Sequence, residues 1–374
     1  MSLNFQQTLV KFYIAFFAII LSSQILAFPE NVRKGYASCA SCHTSPTGGG
    51  LPTSYGMHAS EEFLNTWKIN ADKDKENSEK EPQAESPLRW GGNLRGLGYL
   101  SNNGIYKGKG FIPMQIEGEA SYQLWEKYIG VFSAGYYDRS VQAQRYYLLA
   151  NLTENLYIRG GKFFPAYGIM TAEHAIVTRK GIGFNEGRES ENIEVGLLGE
   201  TGEIVVDAIL SEASDDNIST NEKGFTLRTA WYAGGRSQLG VSFLSTSSKV
   251  WQRTMYGLFA IAGLTQSVYL LSEVDQEFKK ATDKDEISTP GNTRLITYDK
   301  LGWEFLPGLH ALATYESSVN TKGSFNPRLW SYGPGLQWFP ISHLELLAQW
   351  QRKYNDAYPN QPGSLATLMV HYYF

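Results

Sequence analysis

The two cysteines of this 374-residue chain stand in one pentapeptide, Cys39-Ala40-Ser41-Cys42-His43. C-x-x-C-H is the attachment pattern of a c-type haem. Two thiols two residues apart can each form a thioether to one edge of a porphyrin, and the following imidazole then faces the iron as an axial ligand. Three other chemistries use a C-x-x-C pair. A zinc site needs a second Cys/His pair, and no further cysteine exists. A redox dithiol needs a βαβ surround, which the neighbouring sequence lacks. A structural disulfide is the third. The expected cofactor is one covalent haem c on Cys39, Cys42 and His43.

A second axial ligand is sought in the adjacent Met57 and His58, beyond the Gly48-Gly49-Gly50 run. Histidine lowers a haem potential and methionine raises it. His58 is the preferred second iron ligand. Spacing leaves two alternatives open, namely Met57 and a five-coordinate iron with His58 on the surface.

The elements around the motif follow from composition. Residues 1–27 read as a secretory signal, with Lys11 before an apolar run from Phe12 to Leu21 and Ala27 closing a small-residue stretch. The run is short for a spanning helix, although a one-helix anchor is the competing reading. Export delivers the cysteines to the compartment where c-type haem is attached. Without Lys11 the chain has 32 basic and 37 acidic residues, a formal charge of −5. That balance leaves no footprint for nucleic acid.

Residues 28–67 form a small haem segment, with a flexible turn over Thr44 to Gly50 and a helix expected from Ser60 to Trp67, capped by Ser60. About 40 residues bury little core alone, so the segment needs its haem or a docking surface. Residues 68–87 form a charged tether with almost no apolar side chain.

From Leu88 to Phe374 the texture becomes short alternating segments rich in Tyr, Trp, Phe and Gly. Leu344, Leu346, Ala348 and Trp350 share one face, opposite Glu345, Gln349 and Gln351. Ala366, Leu368, Val370, Tyr372 and Phe374 oppose Thr367, His371 and Tyr373, and Leu309, Ala311, Ala313 and Tyr315 oppose His310 and Thr314. Apolar-out, polar-in alternation with aromatics near strand ends is the pattern of a transmembrane barrel. Connections alternate short (Gly199 to Gly202, Ala233 to Gly235, Leu306 to Gly308, Pro340 to Ser342) and long (Ser101 to Gly110, Phe164 to Glu189, Glu212 to Gly224, Glu277 to Asn292, Tyr354 to Gly363). Outer-membrane barrels have short periplasmic turns and longer outer loops. The expected fold is therefore all-β, an antiparallel barrel of about sixteen strands over residues 88–374. A soluble β-sandwich is the alternative.

The connection from Phe164 to Glu189 carries Glu173, His174, Arg179, Lys180, Glu186 and Arg188. It can fold into the lumen and narrow it, or lie outside as an ordinary loop. Its His/Glu set is unspecific as a cation site.

In architecture the mature chain resembles the fused monohaem cytochrome–porins of outer membranes, whose best-known members are iron oxidases. In motif the likeness rests on Cys39, Ser41, Cys42, His43, Pro46 and the Gly48-Gly49-Gly50 run. The resemblance implies haem on Cys39 and Cys42 with His43 as axial ligand. It also implies electron transfer from an extracellular donor, ferrous iron among them, to periplasmic carriers. The haem segment would then lie on the periplasmic side or in the lumen, with outer-membrane lipid around the barrel. Two other functions compete: a general porin with an accessory haem plug, and a haem peroxidase with His58 as acid/base group. The strand faces do not reveal a subunit contact. No Ser-His-Asp, phosphate-loop or paired-carboxylate pattern points to hydrolase or kinase chemistry.

Overall fold

The computed structural model describes residues 31, 33–34, 36, 38–68, 86–102, 107–137, 140–171, 173, 175–184, 187–211, 221–249, 251–282, 292–322, 328–355 and 362–374. The expected signal and most of the charged tether lie outside the described residues.

Sixteen strands follow one another along the chain: β1 (Leu88–Asn102), β2 (Lys107–Leu124), β3 (Tyr128–Tyr137), β4 (Ser140–Asn151), β5 (Leu156–Phe163), β6 (Ser190–Gly199), β7 (Gly202–Ser211) and β8 (Lys223–Ala233), then β9 (Ser237–Ser247), β10 (Trp251–Gly263), β11 (Val268–Ala281), β12 (Asn292–Leu306), β13 (Leu309–Lys322), β14 (Leu329–Trp338), β15 (Leu344–Asn355) and β16 (Gly363–Tyr373). Each pairs antiparallel with its neighbours, and β1 closes on β16 from Asn93↔Tyr373 to Asn102↔Ser364. Closure leaves no sheet edge, so the backbone of every strand finds its partners within the barrel, as a hydrocarbon layer requires.

Burial is inverted relative to a soluble protein. On β6, Asn192 and Glu194 are buried while Ile193, Val195 and Leu197 are exposed. On β7, Asp207 is buried and Ile204 and Val206 are exposed. His310 and Thr314 point inward and Tyr315 outward, matching the expected faces. An apolar exterior around a polar, ion-paired interior is the physics of a barrel solvated by lipid.

Strand ends differ from the sequence reading at several turns. β1 runs through Asn102 and β2 begins at Lys107, and β11 continues to Ala281, so these outer connections are shorter than expected. Polar residues extend the ladders beyond the apolar band because the hydrogen-bond register continues past the lipid. The connection after β5 does span residues 164–189.

Among the described residues the N-terminal segment holds one α-helix, α1 (Ser54–Phe63), rather than a helix from Ser60 to Trp67. Thr53 is the cap: its side chain accepts the Gly56 N–H at 3.0 Å. Ser60 is instead inside the helix, with its hydroxyl 3.0 Å from the Tyr373 hydroxyl of β16. A tertiary partner therefore takes the residue that looked like a cap.

This segment sits within the short-turn end of the barrel. Arg33 Nη2 donates to Glu304 Oε2 at 2.6 Å. The Thr66 and Trp67 amides donate to the carbonyls of Phe339 and Pro340 at 2.9 and 3.0 Å. Trp67 and Trp338 meet edge to face with centroids 5.3 Å apart. The docking surface that so small a segment needs is the barrel wall.

Candidate functional site: a lumenal cavity around the Cys-x-x-Cys-His motif

Cys39 and Cys42 are both half-buried and both free, so the pair is not a disulfide. A short 3-10 turn carries Cys39–Ser41, with the Ser38 hydroxyl accepting the Ala40 N–H at 3.3 Å. The Thr53 N–H donates to the Cys42 carbonyl at 2.8 Å, and Thr44 N–H to the Leu51 carbonyl at 2.9 Å. These bonds fold residues 43–52 back on the motif. Burial pushes the Cys39 thiol up to about 12, with Glu203 adding to the rise, and burial also raises Cys42. Both sulfurs are therefore held as neutral thiols.

Burial lowers His43, while a hydrogen bond to the Gly50 backbone opposes that shift. Gly48, Gly49 and Gly50 all have positive φ, at +90°, +76° and +65°. A Cβ on Gly48 would lie 3.3 Å from Cys39 Sγ. The turn expected to be flexible is a left-handed run that keeps side chains away from the thiol.

Barrel side chains hold this loop. Arg159 of β5 donates to Ser45 Oγ at 2.9 Å and to Thr47 Oγ1 at 2.8 Å. Arg89 of β1 donates to Thr44 Oγ1 at 3.1 Å and to the Pro52 carbonyl at 3.3 Å. Glu119 of β2 accepts the Leu51 N–H at 2.9 Å.

Cys39, Cys42, His43 and Met57 line one cavity of about 530 Å³. That is within the range of cofactor and small-ligand pockets. Glu345 and Lys353 of β15 both line it, eight positions apart on one strand. At about 3.4 Å per residue and a tilt of about 40°, these span about 21 Å of barrel axis. The cavity therefore runs through most of an apolar band of about 25 Å. The His58 backbone lies in α1, and its side chain lies outside the described residues. Among the described residues no group of three or more His, Cys, Asp and Glu side chains could hold a metal ion. His174 and Glu186, part of the His/Glu set of the long connection, also lie outside them.

The connection between β5 and β6 folds inward. Ala166, Tyr167 and Ile169 are wholly buried. The amides of Ala166, Gly168 and Ile169 donate to Asp207, Ser242 and Glu273 at 2.9, 2.9 and 3.0 Å. Val177 N–H donates to Glu316 at 3.0 Å, and Arg294 donates to the Gly181 carbonyl at 2.8 Å. Lys300 pairs with Glu173. The segment is thus fastened to strands β7 to β13 and leaves open a passage along β14 to β16 and β1 to β2. Met170, Glu173, Arg179 and Lys180 face that passage from the loop, and Gln349, Gln351 and Met369 face it from the wall.

The donor set fits a c-type haem: two neutral free thiols and an imidazole face one cavity, at a turn whose glycines leave room. Sequence reasoning missed Arg89, Glu119, Arg159 and Glu304. Their inward register was legible, but which chain segment each would meet was not.

Fold and site together define a porin-like, membrane-spanning β-barrel with a cysteine-bearing segment in its lumen. Solved structures share that fold. The OmpTΔL8 loop-deletion mutant, an outer membrane protein of Vibrio cholerae, matches with a TM-score of 0.60 at 10% identity, covering 77% of this chain and 99% of its own. The anion-selective porin from Comamonas acidovorans matches at 0.55 with 8% identity, covering 78% and 100%. The outer membrane channel DcaP of Acinetobacter baumannii matches at 0.53 with 12% identity, covering 77% and 97%. No protein-family model and no curated protein sequence matches the chain.

Proposed function

We propose that this chain is an outer-membrane electron-transfer protein. In this reading Cys39 and Cys42 carry one covalent haem c and His43 is its axial ligand. Electrons pass from an extracellular donor, ferrous iron among the candidates, to periplasmic carriers. The observation that carries the reading is that the Cys-x-x-Cys-His side chains line a cavity running most of the way through the barrel. The bound group would supply a one-electron ferric/ferrous couple.

The chain's own residues do the rest. Cys39 and Cys42 would fix the macrocycle edge, and His43 would be its axial ligand. Arg159, Arg89 and Glu119 lock the loop to the wall. The inward connection narrows the approach from the long-loop side, which faces outward in outer-membrane barrels. Arg33, Thr66 and Trp67 seat the segment at the short-turn, periplasmic end. Met57 lines the cavity, and His58 and Met57 both stand as candidates for the second axial ligand.

A second reading is a general porin with an accessory plug, and the likeness to outer-membrane channels supports it. An optical redox titration of the solubilised full chain, expressed with haem-attachment machinery, separates them. A haem that stays on the denatured chain, is lost in Cys39→Ser plus Cys42→Ser, and is reduced by an external donor supports electron transfer. Wild-type protein with no covalent haem overturns it and leaves the porin.

A further inference from the structure

The outward face of the barrel carries a groove at its long-loop end. It measures about 450 Å³ and lies across β2, β1, β16 and β15. Strand register sets its side chains in two rows. In one, Lys109 pairs with Leu100, Leu100 with Ala366, and Ala366 with Trp350. One step nearer the loops, Lys107 pairs with Asn102, Asn102 with Ser364, and Ser364 with Arg352. Gln349, Gln351 and Leu365, which alternate with these positions, line the lumenal cavity, so the rows face away from it. Leu100 is 62% exposed and Trp350 43%.

The groove stands at the edge of the lipid. Farther down β16, Leu368, Val370 and Tyr372 are exposed on the same face. Ser364 lies eight positions from Tyr372. That is about 21 Å along the axis, at about 3.4 Å per residue and a tilt of about 40°. The apolar band of such a barrel is about 25 Å tall. Beside the upper row, Trp330 and Tyr354 stack with centroids 3.9 Å and planes 5° apart. Paired rings of this kind belong to the aromatic girdle at headgroup level. The Arg352 guanidinium lies against them, 5.9 Å from the Tyr354 centroid.

The charge of the rows is one-sided. Lys107 and Lys109 are exposed on one flank, Arg352 stands on the other, and neither row holds an acid. The flanks are three strand spacings apart, about 14 Å at about 4.8 Å each. Ordinary solvated loop charges need no apolar floor beneath them. Here Ala366 makes a low floor between Leu100 and Trp350. Cations over an apolar floor match phosphates over acyl chains, and the Arg352 fork suits a phosphate. Cations on two flanks match a headgroup with two phosphates on a rigid sugar frame.

We propose that this groove binds a phosphorylated glycolipid of the outer leaflet. Lys107 and Lys109 take one phosphate, Arg352 takes the other, and an acyl chain lies over Ala366 between Leu100 and Trp350. The inference rests on the barrel and its outward-facing long-loop end, not on the haem reading.

The test is native mass spectrometry of the detergent-solubilised full chain, with diphosphorylated lipid A and phosphatidylglycerol added in equal amounts. Wild type is expected to retain lipid A in preference. Lys107→Gln with Lys109→Gln is expected to lower the bound fraction by about twentyfold, at about fivefold per surface cation. Ala366→Leu keeps every charge and is expected to lower it by about fourfold for each acyl CH₂ displaced. Lys127→Gln, an exposed lysine at the short-turn end, is the control and should change nothing.

Barrel assembly is checked by heat-modifiable migration on a gel. If the double lysine variant does not assemble, Arg352→Gln carries the test, with an expected loss of about fivefold. An unchanged bound fraction in these cation variants overturns the inference, as does an equal loss in Lys127→Gln. Equal retention of phosphatidylglycerol means unspecific attraction of anionic lipid and overturns it. Retention of dephosphorylated lipid A as strong as that of the diphosphorylated form overturns it too, as does a wild type that retains neither.

Discussion

Arg33 Nη2 lies 2.6 Å from Glu304 Oε2, although 271 positions separate the two residues. The Arg33 side chain is wholly buried, and its guanidinium stands over the Tyr269 ring, 4.9 Å from the centroid. Glu304 also takes Lys34 and the Gly308 N–H. This carboxylate at the end of β12 is therefore the hub that holds the N-terminal segment in the short-turn mouth. Removing one partner of a buried pair costs about 3–5 kcal/mol, because a charge is left without compensation.

Glu304→Ala is accordingly expected to loosen residues 31–68 while leaving the barrel closed. Limited proteolysis of the solubilised protein should cut this segment faster than in wild type, with the heat-resistant barrel band unchanged. Equal cleavage rates would mean that the other barrel contacts, from Arg89, Glu119, Arg159 and the Thr66–Trp67 amides, hold the segment without Glu304.

Gly56 lies where α1 crosses the motif. A Cβ there would sit 2.1 Å from the Cys42 carbonyl oxygen, which is backbone and cannot swing aside. Gly56→Ala must therefore push α1 off the motif, an overpacking cost of about 1–3 kcal/mol. The expected outcome is reduced covalent haem per barrel on a stained denaturing gel. Normal loading would show that the helix can shift without disturbing Cys42.

Arg159 tests the wall side of the same loop. It stacks 3.8 Å from the Phe163 centroid and pairs with Glu194 at 2.6 Å, besides holding Ser45 and Thr47. Arg159→Met keeps the volume but leaves the buried Glu194 without its guanidinium partner. We expect a loss of about 3–5 kcal/mol in barrel stability. Adding Glu194→Gln should recover a large part of it in a double-mutant cycle. Strict additivity in urea unfolding would sink the argument.

Much of this was legible in the sequence, for reasons that the contacts make plain. Period-two alternation is a local property, so the faces of β13, β15 and β16 and the strand number could be read directly. The 164–189 connection was bounded correctly because strand texture stops at Phe163 and resumes at Ser190. Its inward path was not decided by sequence, because it depends on acceptors such as Asp207 and Glu273 on strands far along the chain. The helix start was misplaced for a similar reason. Ser60 has the chemistry of a cap, but Tyr373 takes it, and Thr53 caps instead. Glu119 and Arg159 were not singled out by the sequence, since nothing local says that a loop some 70 or 110 residues earlier will lie against them.

The inward connection yields the last prediction. Gly168 and Ile169 are fixed by Ser242 and Glu273 from the wall, and Arg228 Nε donates to the Gly168 carbonyl at 2.8 Å. These bonds hold the loop against one side of the lumen and leave the passage on the other side open. Ser242→Ala with Glu273→Ala removes two acceptors for buried amides, each loss worth about 1–3 kcal/mol. The freed loop should sample the passage, so single-channel current in a planar bilayer should become noisier. Deleting residues 28–87 removes the other obstruction and should raise the mean conductance with little added noise. If the deletion leaves conductance unchanged while the double variant raises it, the loop alone sets the resistance. The N-terminal segment would then not close the short-turn mouth to ions, and solute passage would have to be weighed beside the proposed electron transfer.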